Sequence, residues 1–89
     1  MACYIVIFEL KDVTQLPALK EALKSFSGFC PLTKRSWAIK TDQSAKEVRD
    51  KLAATMGPSD RLYVFRSGTE GAWRNAYSDR HSAWLKKNL

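Results

Sequence analysis

The strongest constraint on the fold is the segment YIVIFEL, residues 4–10, which is apolar at odd and at even positions alike. Side chains alternate between the two faces of a sheet along a strand, so a strand of this kind needs cover on both faces. The segment therefore predicts a strand inside a layered fold. It also places the carboxylate of Glu9 on the same face as Ile5 and Ile7, at the point where the strand ends.

The rest of the chain alternates helix-period and strand-period patterns, separated by clear turn and cap signals. After the first strand, the sequence predicts a helix that is capped by Thr14 and has Pro17 in its first turn, and then two strands, at 29–33 and at 35–41. A second helix is predicted to open with the capping box of Ser44 and Glu47 and to end at Gly57-Pro58, and a last strand follows at 61–66. Pro31 favours an edge position for the second strand, because proline cannot donate a ladder hydrogen bond.

The order strand, helix, strand, strand, helix, strand predicts an α+β fold of the ferredoxin-like type. In that fold a four-stranded antiparallel sheet carries both helices on one face. The first and last strands are expected to form the central pair, and each is apolar on the face that the helices do not reach. One domain is expected over residues 1–89, with a core at about 2–67 and a C-terminal extension at 68–89.

The uncovered sheet face requires a partner, and two alternatives remain open. A second copy of the chain is one, packed sheet to sheet in a homodimer. The C-terminal extension is the other, because it follows the last strand and contains the apolar residues Ala72, Trp73, Tyr77, Trp84 and Leu85. We expect a homodimer in which the extension also takes part, and cover by the chain's own extension is the alternative.

Charge and composition limit the classes of function. The net charge is +6, and the excess lies in the second half of the chain, mostly in its last third. A basic surface favours polyanionic partners such as DNA or RNA. No apolar stretch is long enough to span a bilayer and no signal peptide is visible, so no membrane partner and a cytoplasmic location are expected. Cys3 and Cys30 are expected to be buried free thiols.

Glu9 is the candidate for chemistry. A carboxylate at a strand end is usually solvated or caps a backbone amide, and that alternative stays open. If a dimer axis passed nearby, two copies of Glu9 would face one another and bind Mg²⁺ or Mn²⁺ against a substrate phosphate. Asp12 would be an outer ligand in such a site, or else a turn residue. The predicted phosphate contacts are Lys34, Arg35, Arg66, Arg74 and Arg80, with a solvated basic surface as the alternative.

The segments YIVIFEL, SWAIKT followed at once by SAKEVRDKL, DRLYVFR, and the tail segments GAW and AWLKKNL together carry a family resemblance. The chain resembles small CRISPR-associated (Cas) proteins related to the dimeric integrase-partner subunit of the spacer-acquisition complex, and it is closer still to their compact SinR-like relatives. The resemblance implies a ferredoxin-like homodimer. Some members are metal-dependent nucleases with an aspartate at the end of the first strand, where this chain has Glu9.

Two classes of function follow as expectations. The first is a nucleic-acid-interacting protein, in its fullest form a Mg²⁺-dependent endonuclease or ribonuclease with Glu9 as the catalytic ligand. The second is a non-catalytic homodimeric adaptor or scaffold whose basic charge serves solubility. Ribonuclease toxins of the virulence-associated D type share the fold, so a toxin role is a further possibility by analogy alone.

Overall fold

The computed structural model describes residues 1–68 and 70–89, which form an α+β structure around one sheet. The elements in chain order are β1 Ala2–Glu9, a 3-10 turn Val13–Gln15, α1 Leu16–Lys24, β2 Gly28–Thr33, β3 Ser36–Thr41, α2 Ala45–Ala53, β4 Arg61–Arg66 and α3 Asp79–Asn88. The expected α+β class with a four-stranded antiparallel sheet is confirmed.

The strand order in the sheet is β2-β3-β1-β4, so β1 and β3 are the central strands. The expectation that the first and last strands form the central pair is therefore wrong. Ile5 of β1 lies opposite Ala38 of β3 on one side and opposite Phe65 of β4 on the other. An apolar pattern on both faces does not separate a central strand from an edge strand, and β4 is an edge strand with large side chains left in solvent. β2 is the other edge, as Pro31 predicted.

The main core lies between the sheet and the first two α-helices. Its fully buried side chains come from both layers and comprise Val6, Leu19, Leu23, Ile39, Val48 and Leu52. Trp37 is also buried in this cluster, as a core residue of β3. The Tyr4 hydroxyl is part-buried and donates to the Gln43 carbonyl at 2.9 Å, so the polar end of this core residue is satisfied.

The predicted cap of α2 is confirmed, whereas the predicted cap of α1 is wrong. The Ser44 hydroxyl accepts from the Glu47 amide at 3.1 Å, and the Ser44 amide donates to the Glu47 carboxylate at 3.1 Å. Before α1, by contrast, the Asp12 carboxylate accepts from the Thr14 amide and caps the 3-10 turn. This turn delays the start of α1 to Leu16, which is why Thr14 does not cap it.

The opposite face of the sheet is covered in part by α3 of the same chain. Leu85 is only 3% exposed and packs in a second cluster with Cys3, Cys30 and Ala38. Burial raises the pKa of both thiols, and both cysteines are free. Within the described residues, no helix combines the length and the apolar character that crossing a membrane requires.

Candidate nucleic-acid interface

The half of the sheet face that α3 leaves uncovered carries three large apolar side chains, which we call the open strip: Ile7, Tyr63 and Phe65. They are 41%, 51% and 55% exposed. Tyr63 lies directly opposite Ile7 in the register, and the rings of Tyr63 and Phe65 stack with centroids 6.0 Å apart. The predicted apolar surface on this face is therefore present, on β1 and β4, beside α3.

Glu9 lies at one end of the open strip and is paired with an arginine. Arg61 is its cross-strand neighbour on β4 and donates from Nη1 to the Glu9 Oε1 at 2.8 Å. The two side chains are half or more exposed, so solvent screens the pair. A divalent cation on Glu9 would have to share this carboxylate with the guanidinium or displace it.

Asp12 serves the local backbone in this structure. Its Oδ1 accepts from the Thr14 amide at 2.9 Å and from the Thr14 hydroxyl at 2.6 Å. These hydrogen bonds hold the pKa of Asp12 below its ordinary value. Across residues 1–68 and 70–89 no cluster of three or more His, Cys, Asp or Glu side chains is arranged to hold a metal ion. The metal site at Glu9 and Asp12 stays a prediction, and its remaining ligands would have to come from a substrate or a second copy.

The five predicted phosphate contacts do not form one group. Lys34 and Arg35 make the exposed turn between β2 and β3, and the Arg35 carbonyl accepts from the Phe8 amide near the end of β1. Arg66 lies opposite Tyr4, toward the other end of the same strand. Four residues of strand separate Tyr4 from Phe8, about 13 Å. Arg66 is therefore remote from the turn at Lys34.

Arg80 lies in the first turn of α3, and Arg74 lies between β4 and α3. Both Arg80 and Lys34 lie at the β2 edge: Lys34 directly follows β2, and Arg80 lines a cleft with residues of that strand, where α3 packs against it. The Cys30 thiol makes a weak contact of 3.9 Å with the His81 carbonyl, which marks the place where the start of α3 meets β2. Lys34 and Arg80 thus lie on the same side of the molecule.

Three adjoining clefts run along this side, and neighbouring clefts share residues. The first, of about 460 Å³, lies between α1, the turn at Lys34 and His81; the second, of about 300 Å³, shares Pro31 and His81 with it. The third, of about 650 Å³, shares Arg80 and Trp84 with the second. We call this continuous surface the basic flank.

The basic flank is built from cations and aromatic rings. Its cations are Lys20, Lys34, Lys40, Arg80 and Lys87. Its rings that reach solvent are Phe29, Tyr77 and Trp84. Among the described residues that line the three clefts there is no carboxylate. Each cleft therefore combines positive charge with at least one aromatic side chain.

Close packing of α3 on β2 holds the flank together. A Cβ on Gly28 would lie 3.3 Å from the Trp84 ring and 3.3 Å from the Lys40 Cβ, so the absence of a side chain lets Trp84 approach the strand. The Lys40 Nζ donates to the Asn88 Oδ1 at 2.9 Å, which ties the end of α3 to β3. These contacts fix the positions of Trp84 and Lys40 within the flank.

The N-terminus of α3 is capped by Ser78 and carries His81 into the flank. The Ser78 hydroxyl accepts from the His81 amide at 3.3 Å and lies 2.7 Å from the His81 Nδ1. The Tyr77 ring meets the His81 ring edge to face at 5.7 Å. His81 is half-buried between Tyr77 and β2.

Sequence reasoning found Lys34 and Arg80 but missed the rest of the flank. Lys20 is on α1, Lys40 is on β3 and Lys87 is on α3, so no local motif joins them. The usable signal was composition alone, because the last third of the chain combines most of the excess charge with Tyr77 and Trp84.

Comparisons with known proteins bear on the fold. No family model matches the chain, and no curated protein matches it. A crystal structure of a hypothetical protein, TT1823 from Thermus thermophilus, is similar with a TM-score of 0.67 at 15% sequence identity. The match covers 82% of this chain and 89% of the other. At this identity the similarity extends to the fold alone.

Proposed function

We propose that this protein is a ferredoxin-like, homodimeric nucleic-acid-interacting protein that contacts phosphates through its basic flank. The observation that carries the proposal is the run of three adjoining clefts in which every cleft has a lysine or an arginine and none of the described lining residues is a carboxylate. The element order and the strand order β2-β3-β1-β4 support the ferredoxin-like assignment. The SinR-like, Cas-like ancestry and the cytoplasmic location remain part of this proposal.

The physical reason is that clustered cations gain by releasing the counterions of a polyanion. A net charge of +6 spread evenly over a small surface gives weak, diffuse attraction. Here Lys34 and Lys20 line one cleft, while Lys40 and Lys87 line another with Arg80 between them. The acids Glu47 and Asp50 lie instead on α2. The charge is thus concentrated where a phosphate backbone could lie along it.

The homodimer is proposed to form through the open strip. A two-fold interface uses the same patch on both copies, so that patch must be self-complementary. The rings of Tyr63 and Phe65 supply apolar area for its centre, and the Glu9–Arg61 pair supplies both signs of charge at its end. A second copy carries the same Glu9–Arg61 pair, so the two copies can pack together there without bringing an excess of one sign of charge into contact.

Binding is tested by fluorescence anisotropy with labelled RNA and DNA, single-stranded and duplex, between about 50 and 200 mM salt. The variant is Lys34→Ala/Arg80→Ala, and the charge-matched control is Lys11→Ala/Lys46→Ala, two exposed lysines that do not line the clefts of the flank. We expect the affinity of the wild type to fall steeply as salt rises. At a given salt concentration, the flank variant should bind more weakly than the wild type, and the control variant should bind like it. Weak binding that ignores salt, or equal losses in both variants, contradicts the proposal.

A metal-dependent nuclease is the second candidate, because Glu9 shares its sheet face with the open strip. If the strip is the dimer interface, a two-fold axis near its Glu9 end brings two carboxylates to one place, where Mg²⁺ could activate water against a phosphodiester. The test is cleavage of labelled RNA and DNA with Mg²⁺, Mn²⁺ or EDTA. Glu9→Gln is compared with Glu21→Gln, an exposed carboxylate on α1.

Products that need the metal and disappear only in Glu9→Gln would support the nuclease. Equal amounts of cleavage product from the wild type, Glu9→Gln and Glu21→Gln, with or without EDTA, would show that Glu9 pairs with Arg61 and has no role in cleavage. Salt-dependent binding without cleavage leaves a non-catalytic binding module. A dimer that neither binds nor cleaves is the adaptor of the alternative reading.

A further inference from the structure

Resting on the proposed function, we infer that the basic flank binds an unpaired strand of nucleic acid, with bases stacked on Phe29, Tyr77 and Trp84 and phosphates held by the lysines and Arg80 between them. The proposal specifies both the site and the kind of strand. It differs from general attraction to a polyanion because it requires the faces of the bases to be free.

The first observation is that the rings reach solvent. Tyr77 is 56% exposed and Phe29 is 41% exposed, although both are large aromatic side chains next to a packed helix. Trp84 is half-buried against Gly28 and lines the two clefts that meet at Arg80. A ring held on one side by protein, with its other side open, is the platform that base stacking uses.

The second observation is the order of rings and charges along the flank. Tyr77 lines the cleft with Lys20 and Lys34, and Trp84 lines the middle cleft with Arg80 and continues into the cleft with Lys40 and Lys87. Phe29 also lines the middle cleft, but its ring lies on the other face of the sheet, 5.9 Å from the Trp37 ring, so a strand would contact it by passing over the β2 edge. β2, which runs along this surface, has six residues and is about 20 Å long. That length accommodates several nucleotides of one strand, in the range of small single-strand sites.

A duplex does not fit this arrangement, because its bases are stacked on one another and present only their edges in the grooves. The phosphates of a duplex could still touch the cations of the flank, but the three rings would then have no partners. An unpaired strand uses both features of the surface. We therefore expect a preference for single strands at matched length and salt.

Other occupants fit the flank less well. A second copy of this chain would bring the same excess of positive charge against it. A peptide strand added to the β2 edge would meet Pro31 in the middle of the strand, where no amide is available for the ladder. The open strip is a further exposed aromatic surface, but its end carries the Glu9 carboxylate, and the guanidinium of Arg61 is already paired with that carboxylate.

The test exploits a matched pair of variants. Phe29→Leu/Tyr77→Leu removes a phenylalanine and a tyrosine from the flank, and Tyr63→Leu/Phe65→Leu removes the same two residue types, at similar exposure, from the open strip. Leucine keeps each site apolar. Binding is measured by anisotropy with a single strand about 10 nucleotides long and with a hairpin duplex of similar charge, and concentrations are expressed per protomer.

We expect the wild type to bind the single strand at least about tenfold more tightly than the duplex, and the flank variant to lose about tenfold or more for the single strand only. The strip variant is expected to weaken the proposed homodimer, but per protomer it should bind the short single strand like the wild type, because each protomer carries a complete basic flank. Circular dichroism checks folding, and Tyr77→Leu alone, at the most exposed ring, replaces the double variant if the latter is unfolded.

The failures are distinguishable. Salt-dependent binding that is equal for duplex and single strand, or unaffected by loss of the flank rings, overturns this inference and leaves the proposed function standing. Loss of single-strand binding in the strip variant alone moves the stacking to the other surface and also overturns it. No salt-dependent binding of either probe to the wild type overturns both.

Discussion

The two edges of this sheet differ: the β2 edge is blocked to a further strand, whereas the β4 edge is open. Each edge has an exposed phenylalanine and an exposed tyrosine, which are Phe29 and the nearby Tyr77 for β2 and Phe65 and Tyr63 for β4. β2 has Pro31 at its middle and packs against α3, so its backbone is a poor template for another strand. β4 reads RLYVFR with no proline, and its Tyr63 and Phe65 stack on each other in solvent. An unpaired edge beside an exposed apolar patch is a candidate site for association with a partner.

The surroundings of an exposed aromatic residue decide what it can bind at each of these two edges. Phe29 and Tyr77 lie among cations and without a carboxylate among the described cleft residues, which suits a polyanion with flat bases. Tyr63 and Phe65 lie beside Ile7 and a neutralised Glu9–Arg61 pair, which suits another copy of the chain. We therefore propose a nucleic-acid surface at one edge of the sheet and a self-association surface at the other.

The largest effect is expected from removing the side chain that anchors α3, because the flank depends on this helix. Leu85→Ala deletes a 3% exposed leucine from the cluster with Cys3, Cys30 and Ala38 and should lower the free energy of unfolding by about 2–5 kcal/mol. Urea denaturation measures it. Leu89→Ala, at a 40% exposed leucine of the same segment, is the control and should cost less than about 1 kcal/mol. Equal losses would mean that α3 is not anchored at Leu85.

The next effect concerns the β4 edge. Phe65→Ser should weaken the proposed homodimer by about 2 kcal/mol, because aromatic residues at the centre of an interface carry much of its binding energy. Analytical ultracentrifugation gives the dissociation constant. Phe29→Ser at the other edge is the matched control and should leave association unchanged. A monomeric wild type, or dimers equally weakened by both substitutions, would break the contrast between the two edges.

A smaller effect is expected for single charges of the flank. Lys34→Ala should reduce the affinity for a single-stranded oligonucleotide by severalfold and should lower the slope of log affinity against log salt by about 0.7, the value for one lost phosphate contact. Arg66→Ala is the control, because Arg66 lies at the other end of the sheet on β4. A larger change for Arg66→Ala would place the phosphates at the β4 edge and reverse the assignment.

The smallest effect is expected at Glu9. Its pair with Arg61 is exposed, so a double-mutant cycle with Glu9→Gln and Arg61→Gln should give a coupling energy of about 0.2–1 kcal/mol for the monomer. Thermal or urea unfolding at low and high salt measures it. A coupling well above this range that persists in high salt would show that the pair is desolvated, as it would be inside a dimer interface.

The parts of the fold that depend on short-range signals could be predicted from the sequence. Ser44 and Glu47 are three residues apart and cap α2 as expected, and the strand at 61–66 has its predicted bounds. Strand neighbours depend on long-range pairing, so the apolar pattern did not reveal that β4 lies at the edge. Thr14 failed as a cap because Asp12, two residues earlier, forms a competing turn.

The candidate site was predicted only where charge was dense in the sequence. Lys34 and Arg80 were singled out, but Lys20 and Lys40 come from elements whose meeting depends on how α1, β3 and α3 pack. Arg66 was grouped with them although it lies at the other end of the sheet. Phe29 gave no signal as a binding residue, because an aromatic residue in a strand is usually buried.

The edge of the sheet that touches the nucleic acid can be located directly by cross-linking. A single-stranded oligonucleotide with photoreactive bases is cross-linked to the protein, and the adducts are mapped by mass spectrometry. We predict adducts in peptides that carry Phe29, Tyr77 and Trp84, suppressed by high salt. Adducts on the β4 peptide that contains Tyr63 and Phe65, or adducts insensitive to salt, would contradict the assignment of the basic flank as the nucleic-acid surface.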